Sequence, residues 1–200
     1  MLGNRFEQVL SHAQRGDAQA FAELWRDANP MLLRYLHVTA GGLAEDIASH
    51  AWLKVIEALG SFTGDEPGFR RWLVTIARNQ HLDQVRRAGR RPERLLAEMT
   101  DVVDRSGGLA TDAATEAEEV MSTRAALGLI ARLPPEQAEM VTLRVVMGLD
   151  VSDVAAVMGR SSGAVRVAVH RALRRLGEMV DGQGVPVTGS GASTFRDRDA

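Results

Sequence analysis

Apolar residues recur at three- and four-residue spacing along most of the chain, and this pattern predicts an almost entirely helical protein. In segment 17–38 the dipeptide Asn29-Pro30 predicts a break or kink, because proline lacks a backbone N–H and crowds the preceding turn. Segment 93–119 has only weak periodicity and separates two helical regions. We therefore predict an all-α fold, with two small helical domains joined by an acidic flexible linker.

Segment 44–59 has a clear amphipathic pattern. Its apolar face carries Ile47, Ala48, Ala51, Trp52, Val55 and Leu59. The opposite face presents Asp46, His50 and Glu57, with Leu53 as an apolar residue among them. One exposed leucine is common on protein surfaces, so Leu53 alone does not establish a partner surface.

Segment 69–87 combines an apolar stripe with a basic end. The stripe consists of Phe69, Trp72, Leu73, Ile76 and Ala77. Leu82 and Val85 lie far out of phase with this stripe on an ideal helix. The pattern therefore predicts a break or turn near residues 78–81.

Such a bend would expose Asn79 and Gln80 beside Arg86 and Arg87. A polar bend flanked by arginines suits single-stranded or distorted nucleic acid, whose bases leave the stack while cations hold the backbone. A helix hairpin with a solvated basic end is the alternative interpretation of the same residues.

Segment 133–149 is predicted to begin a helix at Leu133-Pro134-Pro135-Glu136, because proline is favoured in the first turn of a helix. Its apolar stripe consists of Ala138, Val141, Val145 and Leu149.

The pattern over 153–176 is typical of a helix-turn-helix. Gly159 suits the left-handed end of the first helix, and Ser161 or Ser162 suits the N-cap of the second. The second helix has a buried stripe of Val165, Val169, Ala172 and Leu176. Its opposite face carries Arg166, Val167, His170, Arg171 and Arg174. A helix of this kind fits the DNA major groove, where arginine reads guanine and a methyl-bearing side chain meets thymine.

Charge is strongly segregated, although the net charge is only −2. Residues 70–94 hold eight arginines against two acidic residues, residues 95–120 hold seven acidic residues against one arginine, and residues 160–175 hold five arginines and no acid. Two basic blocks separated by an acidic block indicate two nucleic-acid surfaces on separate modules. The predicted organisation is an N-terminal domain at 1–92, a linker at 93–119, a helix-turn-helix domain at 120–180 and a disordered tail at 181–200.

Several classes of function are disfavoured. The chain has no cysteine, which excludes disulfides and thiolate zinc sites and fits a reducing cytoplasm. The five histidines are scattered without ligand spacing, so no metal site is expected. No apolar run reaches membrane-spanning length, and no membrane contact is expected. The stretch 159–163 matches the G-x-S-x-G pattern of serine hydrolases, but a helix precedes it where that motif requires a strand.

Three motifs in order resemble the extracytoplasmic-function (ECF) group of bacterial sigma factors, over roughly residues 16–179. The first is Ala44-Glu45-Asp46-Ile47 with Trp52-Leu53. The second is Phe69-Arg70-x-Trp72-Leu73 with Ile76-Ala77-Arg78-Asn79, Asp83 and Arg86-Arg87. The third is Leu133-Pro134-Pro135 with Asp153-Val154-Ala155, Gly159, Gly163-Ala164-Val165-Arg166, His170-Arg171-Ala172 and Leu176.

The resemblance implies a transcription initiation factor with no catalytic residue and no cofactor. Its partners would be core RNA polymerase, promoter DNA and an anti-sigma factor. Polymerase binding would fall to Asp46, Ser49, His50 and Leu53. Recognition and melting of the minus-ten region would fall to Arg78, Asn79, Gln80, Asp83, Arg86 and Arg87. The minus-thirty-five element would be read by Ser162, Arg166, Val167, His170, Arg171 and Arg174.

Two departures from the family pattern bear on specificity. Ser49 and His50 stand where the family usually has glutamine and glutamate, and Arg166-Val167-Ala168 replaces a common Lys-Ser-Arg run. We expect altered individual polymerase contacts and an altered promoter preference. A helix-turn-helix regulator that does not join polymerase is the alternative, but it explains neither segment 44–59 nor segment 69–87.

Overall fold

A computed structural model of the 200-residue chain describes residues 2–89 and 113–181, with side chains at 2–87 and 121–181. Every regular element in these ranges is helical, which confirms the all-α prediction. The N-terminal module consists of α1 (Phe6–Gln14), α2 (Ala18–Ala40), α3 (Ala44–Ala58) and α4 (Glu66–Gly89). The C-terminal module consists of α5 (Ala113–Ile130), α6 (Pro135–Val141), α7 (Val151–Met158) and α8 (Ser162–Asp181).

The predicted linker at 93–119 lies largely, and the predicted tail at 181–200 almost entirely, outside the described residues. Helix α5 begins at Ala113, whereas the sequence pattern placed the return of helix near Val120. Within the described ranges, no helix is both long and apolar enough to cross a bilayer.

Helix α2 is unbroken, so the break predicted at Asn29-Pro30 is absent. Pro30 lies on the exposed side of the helix. Buried residues on either side of it, among them Leu24 and Leu32, hold both halves of the helix against the core. Side-chain packing therefore offsets the hydrogen bond that proline removes.

Helix α4 is also continuous, and the break predicted near residues 78–81 is wrong. The first half buries Phe69, Leu73 and Ala77, as the stripe predicted. The second half extends beyond the core, since Leu82 is only half-buried and Val85 is 52% exposed. Apolar residues that are not buried impose no rotational phase on the helix, so the backbone hydrogen bonds of α4 continue through the segment.

The stripe predicted after Pro135 is correct for Ala138, Val141 and Leu149 but wrong for Val145, which is 59% exposed. A π-helical turn at Thr142–Val146 follows α6, and the Met147 amide donates to the Thr142 carbonyl at 3.0 Å. This hydrogen bond spans five positions where an α-helical bond spans four, so it adds a residue to the turn and rotates the side chains that follow. Val145 therefore points outward while Met147 is buried.

The helix-turn-helix forms as the sequence predicts. The Asp150 carboxylate caps α7 by accepting from the Asp153 amide at 2.7 Å. Gly159 ends α7 in the left-handed conformation, at φ 64°. Ser161 rather than Ser162 caps α8, because its hydroxyl accepts from the Ala164 amide at 3.2 Å.

The two modules pack directly on each other. Residues of the C-terminal module join the apolar core that α1–α4 build: Met140, Leu143, Met147, Leu149, Val154, Ala155 and Val165. A smaller cluster within the C-terminal module contains Ile130, Leu133, Ala138, Val141 and Ala172. This packing brings α4, which carries the first basic segment, into contact with α6 and α7 of the C-terminal module.

Candidate functional site

Helix α3 buries one side in the N-terminal core and exposes its outer face to solvent. The four residues that the resemblance assigned to polymerase binding, Asp46, Ser49, His50 and Leu53, are all exposed. The His50 ring nitrogen Nδ1 lies 2.7 Å from the Asp46 carbonyl, which fixes the ring against the helix. Leu53 is 58% exposed, so an apolar side chain lies in the middle of this polar face.

Additional apolar residues, which the sequence analysis did not select, lie on α2 and α3. Ile56 is 54% exposed and follows Leu53 by three residues, and Trp25 is 43% exposed on α2. Phe21 packs edge-on against Trp52, with ring centroids 5.9 Å apart, and joins Ile56 in lining a cavity of about 320 Å³. The signal in the sequence is the four-residue spacing of Phe21 and Trp25, which places both on one face of α2.

The exposed face of α8 carries the side chains that the sequence analysis expected to contact bases in the DNA major groove. Arg166, Val167, His170, Arg171 and Arg174 are all exposed, whereas Val165 and Ala172 are fully buried on the opposite side. Ser162 is half-buried at the first position of the helix. Arg174 makes a loose ion pair with Glu178 at 3.5 Å, which leaves its guanidinium largely in solvent.

The basic second half of α4 protrudes from the core. Asn79, Asp83, Arg86 and Arg87 are exposed, and Gln80 is half-buried. Arg86 donates to the Asp83 carboxylate at 3.1 Å, one turn back along the helix. The six predicted minus-ten residues therefore lie along one continuous helix, and not at a bend as the sequence predicted.

Arg78 differs from the other predicted minus-ten residues, because α6 of the C-terminal module holds it. Its Nε donates to Oε1 of Glu139 at 2.8 Å, and the Tyr35 hydroxyl donates to the same oxygen at 2.8 Å. The Arg78 and Glu139 side chains are only 20% and 17% exposed. Burial, reinforced by the Glu139 charge, raises the pKa of Tyr35 well above its usual value and keeps its hydroxyl a donor.

An aromatic cavity lies at the start of α4. Phe62 and Trp72 stack with ring centroids 4.9 Å apart, and they line a cavity of about 520 Å³ together with Arg71 and Asp65. The C-terminal module contributes Val157 of α7 to the same cavity, and the Asp153 carboxylate accepts a hydrogen bond from Arg71. Neither Arg71 nor the cavity was among the sequence-based candidates.

Comparison with known families matches both modules. The model of sigma-70 region 2 matches residues 24–91, and the model of sigma-70 region 4 matches residues 123–176. The first match contains all of α3 and α4, and the second contains α6, α7 and α8 as far as residue 176.

Characterised relatives cover most of the chain. The ECF RNA polymerase sigma factor BldN of Streptomyces coelicolor is 36% identical over 180 residues, which span 88% of this chain and 66% of the relative. The ECF RNA polymerase sigma factor SigD of Mycobacterium tuberculosis is 34% identical over 190 residues, which span 88% of this chain and 84% of the relative.

The fold is also that of solved sigma factors. The sigma factor RpoE of Bartonella quintana, in complex with the anti-sigma factor NepR, matches with a TM-score of 0.62 at 22% identity, over 82% of this chain and 98% of that one. CnrH, in complex with the cytosolic domain of CnrY, matches with a TM-score of 0.59 at 20% identity, over 90% of this chain and 99% of that one. The chain belongs to the ECF group of RNA polymerase sigma factors, transcription initiation factors that direct the polymerase to promoters.

Proposed function

We propose that the chain divides the work of a sigma factor among three surfaces: the outer face of α3 with its apolar neighbours, helix α4, and the exposed face of α8. The observation that carries the proposal is that the residues assigned to binding on α3, and nearly all of those on α8, are exposed to solvent, while the opposite face of each helix is buried in the core.

The α3 surface is the proposed contact with core RNA polymerase, through Asp46, Ser49, His50 and Leu53. Ile56 and Trp25 extend it, because apolar side chains that are more than 40% exposed on adjoining helices give a partner area to bury. Protein interfaces commonly combine an apolar centre with a polar rim, and here Leu53 and Ile56 would form the centre.

Helix α4 is the proposed minus-ten surface. Arg78, Arg86 and Arg87 would neutralise the phosphates of an opened strand, while Asn79 and Gln80 hydrogen-bond unpaired bases and Asp83 orients Arg86. The Phe62–Trp72 cavity at the other end of the helix is large enough for an unstacked base, and Arg71 supplies a cation beside it.

Helix α8 is the proposed minus-thirty-five reader. Arg166, Arg171 and Arg174 would contact guanine edges or phosphates, Val167 a thymine methyl group, and Ser162 a phosphate beside the helix N-terminus. His170 would donate to a base or phosphate from the same face. The module would enter the major groove in the manner of other helix-turn-helix proteins.

The proposal also concerns the cellular location of the chain and the protein that regulates it. The chain would act without catalysis of its own, in the cytoplasm, where core polymerase and chromosomal DNA are found. The Bartonella quintana relative is bound to an anti-sigma factor, and we propose an anti-sigma partner for this chain too. Such a partner would act by covering the α3 surface or the faces of α4 and α8.

Promoter-directed transcription tests the proposal. Core polymerase freed of other sigma factors should, with this chain, initiate at a restricted set of sites on host genomic DNA. The transcripts' start sites should share two upstream sequence elements. Core enzyme with a chain carrying Arg166→Ala and Arg171→Ala, which should still dock, is the matched control and should lose this selectivity. Random initiation with the unaltered chain would contradict the proposal.

The proposed role of Asn79 has its own test. Asn79→Ala should leave binding to closed duplex promoter unchanged, because the residue would act only on unpaired bases. It should reduce permanganate reactivity of thymines in the minus-ten region within the holoenzyme. Normal reactivity with Asn79→Ala would remove Asn79 from the proposed surface.

A further inference from the structure

One side chain of α1 holds the connection between α3 and α4. The Gln14 amide nitrogen Nε2 donates to the Leu59 carbonyl at 3.0 Å and to the Phe62 carbonyl at 2.8 Å. These acceptors lie 45 and 48 positions further along the chain. The amide nitrogen of glutamine carries two N–H donors, and both are used on this one short turn. Gln14 therefore clamps the two ends of the turn at residues 59–62.

The clamped turn is the place where the backbone changes from helical to extended conformation. Helix α3 ends at Leu59, and the last carbonyls of a helix have no partner within that helix. A 3₁₀ turn over Leu59–Ser61 follows, and Phe62 is then extended, at φ −69° and ψ 134°. The two carbonyls that accept from Gln14 lie on either side of this change, so the clamp fixes the direction in which the chain leaves α3.

Gln14 is itself firmly placed. It is the last residue of α1, next to the buried Ala13. A tight turn joins α1 to α2, in which the Asp17 amide donates to the His12 carbonyl at 3.2 Å. The Asp17 carboxylate then caps α2 by accepting from two backbone amides of its first turn. The position of the Gln14 donor is therefore set by two packed helices.

The clamped turn carries one wall of the aromatic cavity. The ring of Phe62, whose carbonyl accepts from Gln14, stacks on Trp72 with centroids 4.9 Å apart and meets Phe69 edge-on at 5.6 Å. Gly64 lies against the same ring: its φ is 150°, and a Cβ at this position would lie 3.1 Å from Cζ of Phe62. Loss of the clamp would allow the Phe62 ring to shift relative to Trp72 and would change the shape of the cavity.

We propose that Gln14 is a positioning residue for promoter recognition. By clamping the turn it fixes the shape of the Phe62–Trp72 cavity, and with it the choice of the minus-ten base that the cavity accepts. A cavity of fixed shape rejects a base that does not fit, whereas a cavity that yields does not. The inference rests on the proposed function, which places an unstacked base in this cavity. Gln14 lies before residues 24–91, which the sigma-70 region 2 model matches, and was not among the sequence-based candidates.

The test compares two glutamine-to-methionine variants of α1. Gln14→Met removes both donors and keeps an unbranched side chain of similar length, so a role in packing alone would be preserved. Gln8→Met is the matched control, because Gln8 is exposed on the same helix. Each variant is assembled with core polymerase on a set of templates in which every minus-ten position of a mapped promoter carries each base in turn. The transcript yields give the ratio between the best and the worst base at each position.

Gln14→Met should reduce this ratio at least about fivefold at one minus-ten position, because two hydrogen bonds that hold the turn are lost. The ratios at the other positions, the minus-thirty-five preference and the yield of holoenzyme should equal those of the control. Circular dichroism establishes that each variant is folded, and Gln14→Ala replaces Gln14→Met if the latter loses helix, since alanine leaves room for water on the two carbonyls. Unchanged ratios, or an equal loss at every position, would overturn the inference.

Phe62→Ala on the same templates separates the inference from the proposed function. This variant removes one wall of the cavity and should reduce discrimination at the same minus-ten position as Gln14→Met. If Phe62→Ala changes that position and Gln14→Met does not, the cavity binds a base and the role of Gln14 is wrong. If Phe62→Ala changes no position, the cavity binds no base, and the inference fails together with that part of the proposed function.

Discussion

The Arg78 guanidinium and the Glu139 carboxylate lie 2.8 Å apart, although the two residues are 61 positions apart in the chain. The arginine belongs to the helix that resembles a minus-ten reader, and the glutamate belongs to the module that resembles a minus-thirty-five reader. Arg78, which the proposed function assigns to the minus-ten surface, is thus also a contact between the two modules.

Promoter reading by α8 can be tested with single substitutions. Arg166→Ala and Arg171→Ala should each weaken binding of duplex minus-thirty-five DNA. A bidentate contact to a base should cost about 1–3 kcal/mol and relax specificity at one position, whereas a phosphate contact should weaken all sequences alike. Arg132→Ala is the control, because Arg132 is exposed in the same module but precedes α6. An unchanged affinity for both α8 variants, measured by anisotropy at fixed salt, would exclude α8 as the reader.

The cap of α7 predicts a stability effect. The Asp150 carboxylate accepts from the Asp153 amide, and this hydrogen bond is the largest of the effects that lower the Asp150 pKa. Asp150→Ala leaves the amide at the helix N-terminus without its acceptor, so the unfolding free energy should fall by about 0.5–2 kcal/mol. Asp150→Asn retains an acceptor and should stay close to the unaltered protein in urea unfolding. Equal losses for alanine and asparagine would contradict the capping role.

Acid should destabilise the fold through His81. Burial lowers the pKa of this imidazole, nearby Arg78 acts in the same direction, and the Glu139 charge partly opposes them. As pH falls through about 6.5, the unfolded chain binds a proton that the folded chain still excludes, so the unfolding free energy falls as pH falls. The effect is absent well above that pH, where His81 is neutral in both states.

Two histidine variants isolate this contribution in urea unfolding across that pH range. His81→Gln should flatten the decline on the acid side of neutrality. His50→Gln should retain it, because His50 is exposed on α3. The same slope in both variants would exclude His81 as the source.

Local chemistry explains which parts of the fold were predictable from sequence. Helical periodicity identified the buried residues of α3 and α8, and the residue types at Gly159 and Ser161 marked the turn between α7 and α8. Each of these signals depends on residues within a few positions of one another. Once the buried stripe of α3 or α8 is known, the opposite side of the helix is predicted to be exposed.

The errors arose where a local irregularity of the backbone or packing between distant segments decides the outcome. Val145 was assigned to the core because a regular helix was assumed, but the bond from Met147 to Thr142 shifts its phase. The break in α4 was inferred from Leu82 and Val85, whose burial the fold does not require. The pairing of Arg78 with Glu139 involves two modules and had no signal in either segment.

The central claim is that the outer face of α3 joins this chain to core RNA polymerase, and gel filtration with core enzyme tests it most directly. The unaltered chain should co-migrate with the polymerase. A folded variant carrying Asp46→Arg and Leu53→Asp should elute alone, because it reverses a charge and removes the apolar centre of the proposed contact. Both side chains are exposed, so the core is left intact. Glu7→Arg, an exposed change on α1, should co-migrate as the control. Normal co-migration of the folded double variant, or no co-migration of the unaltered chain, would contradict the account.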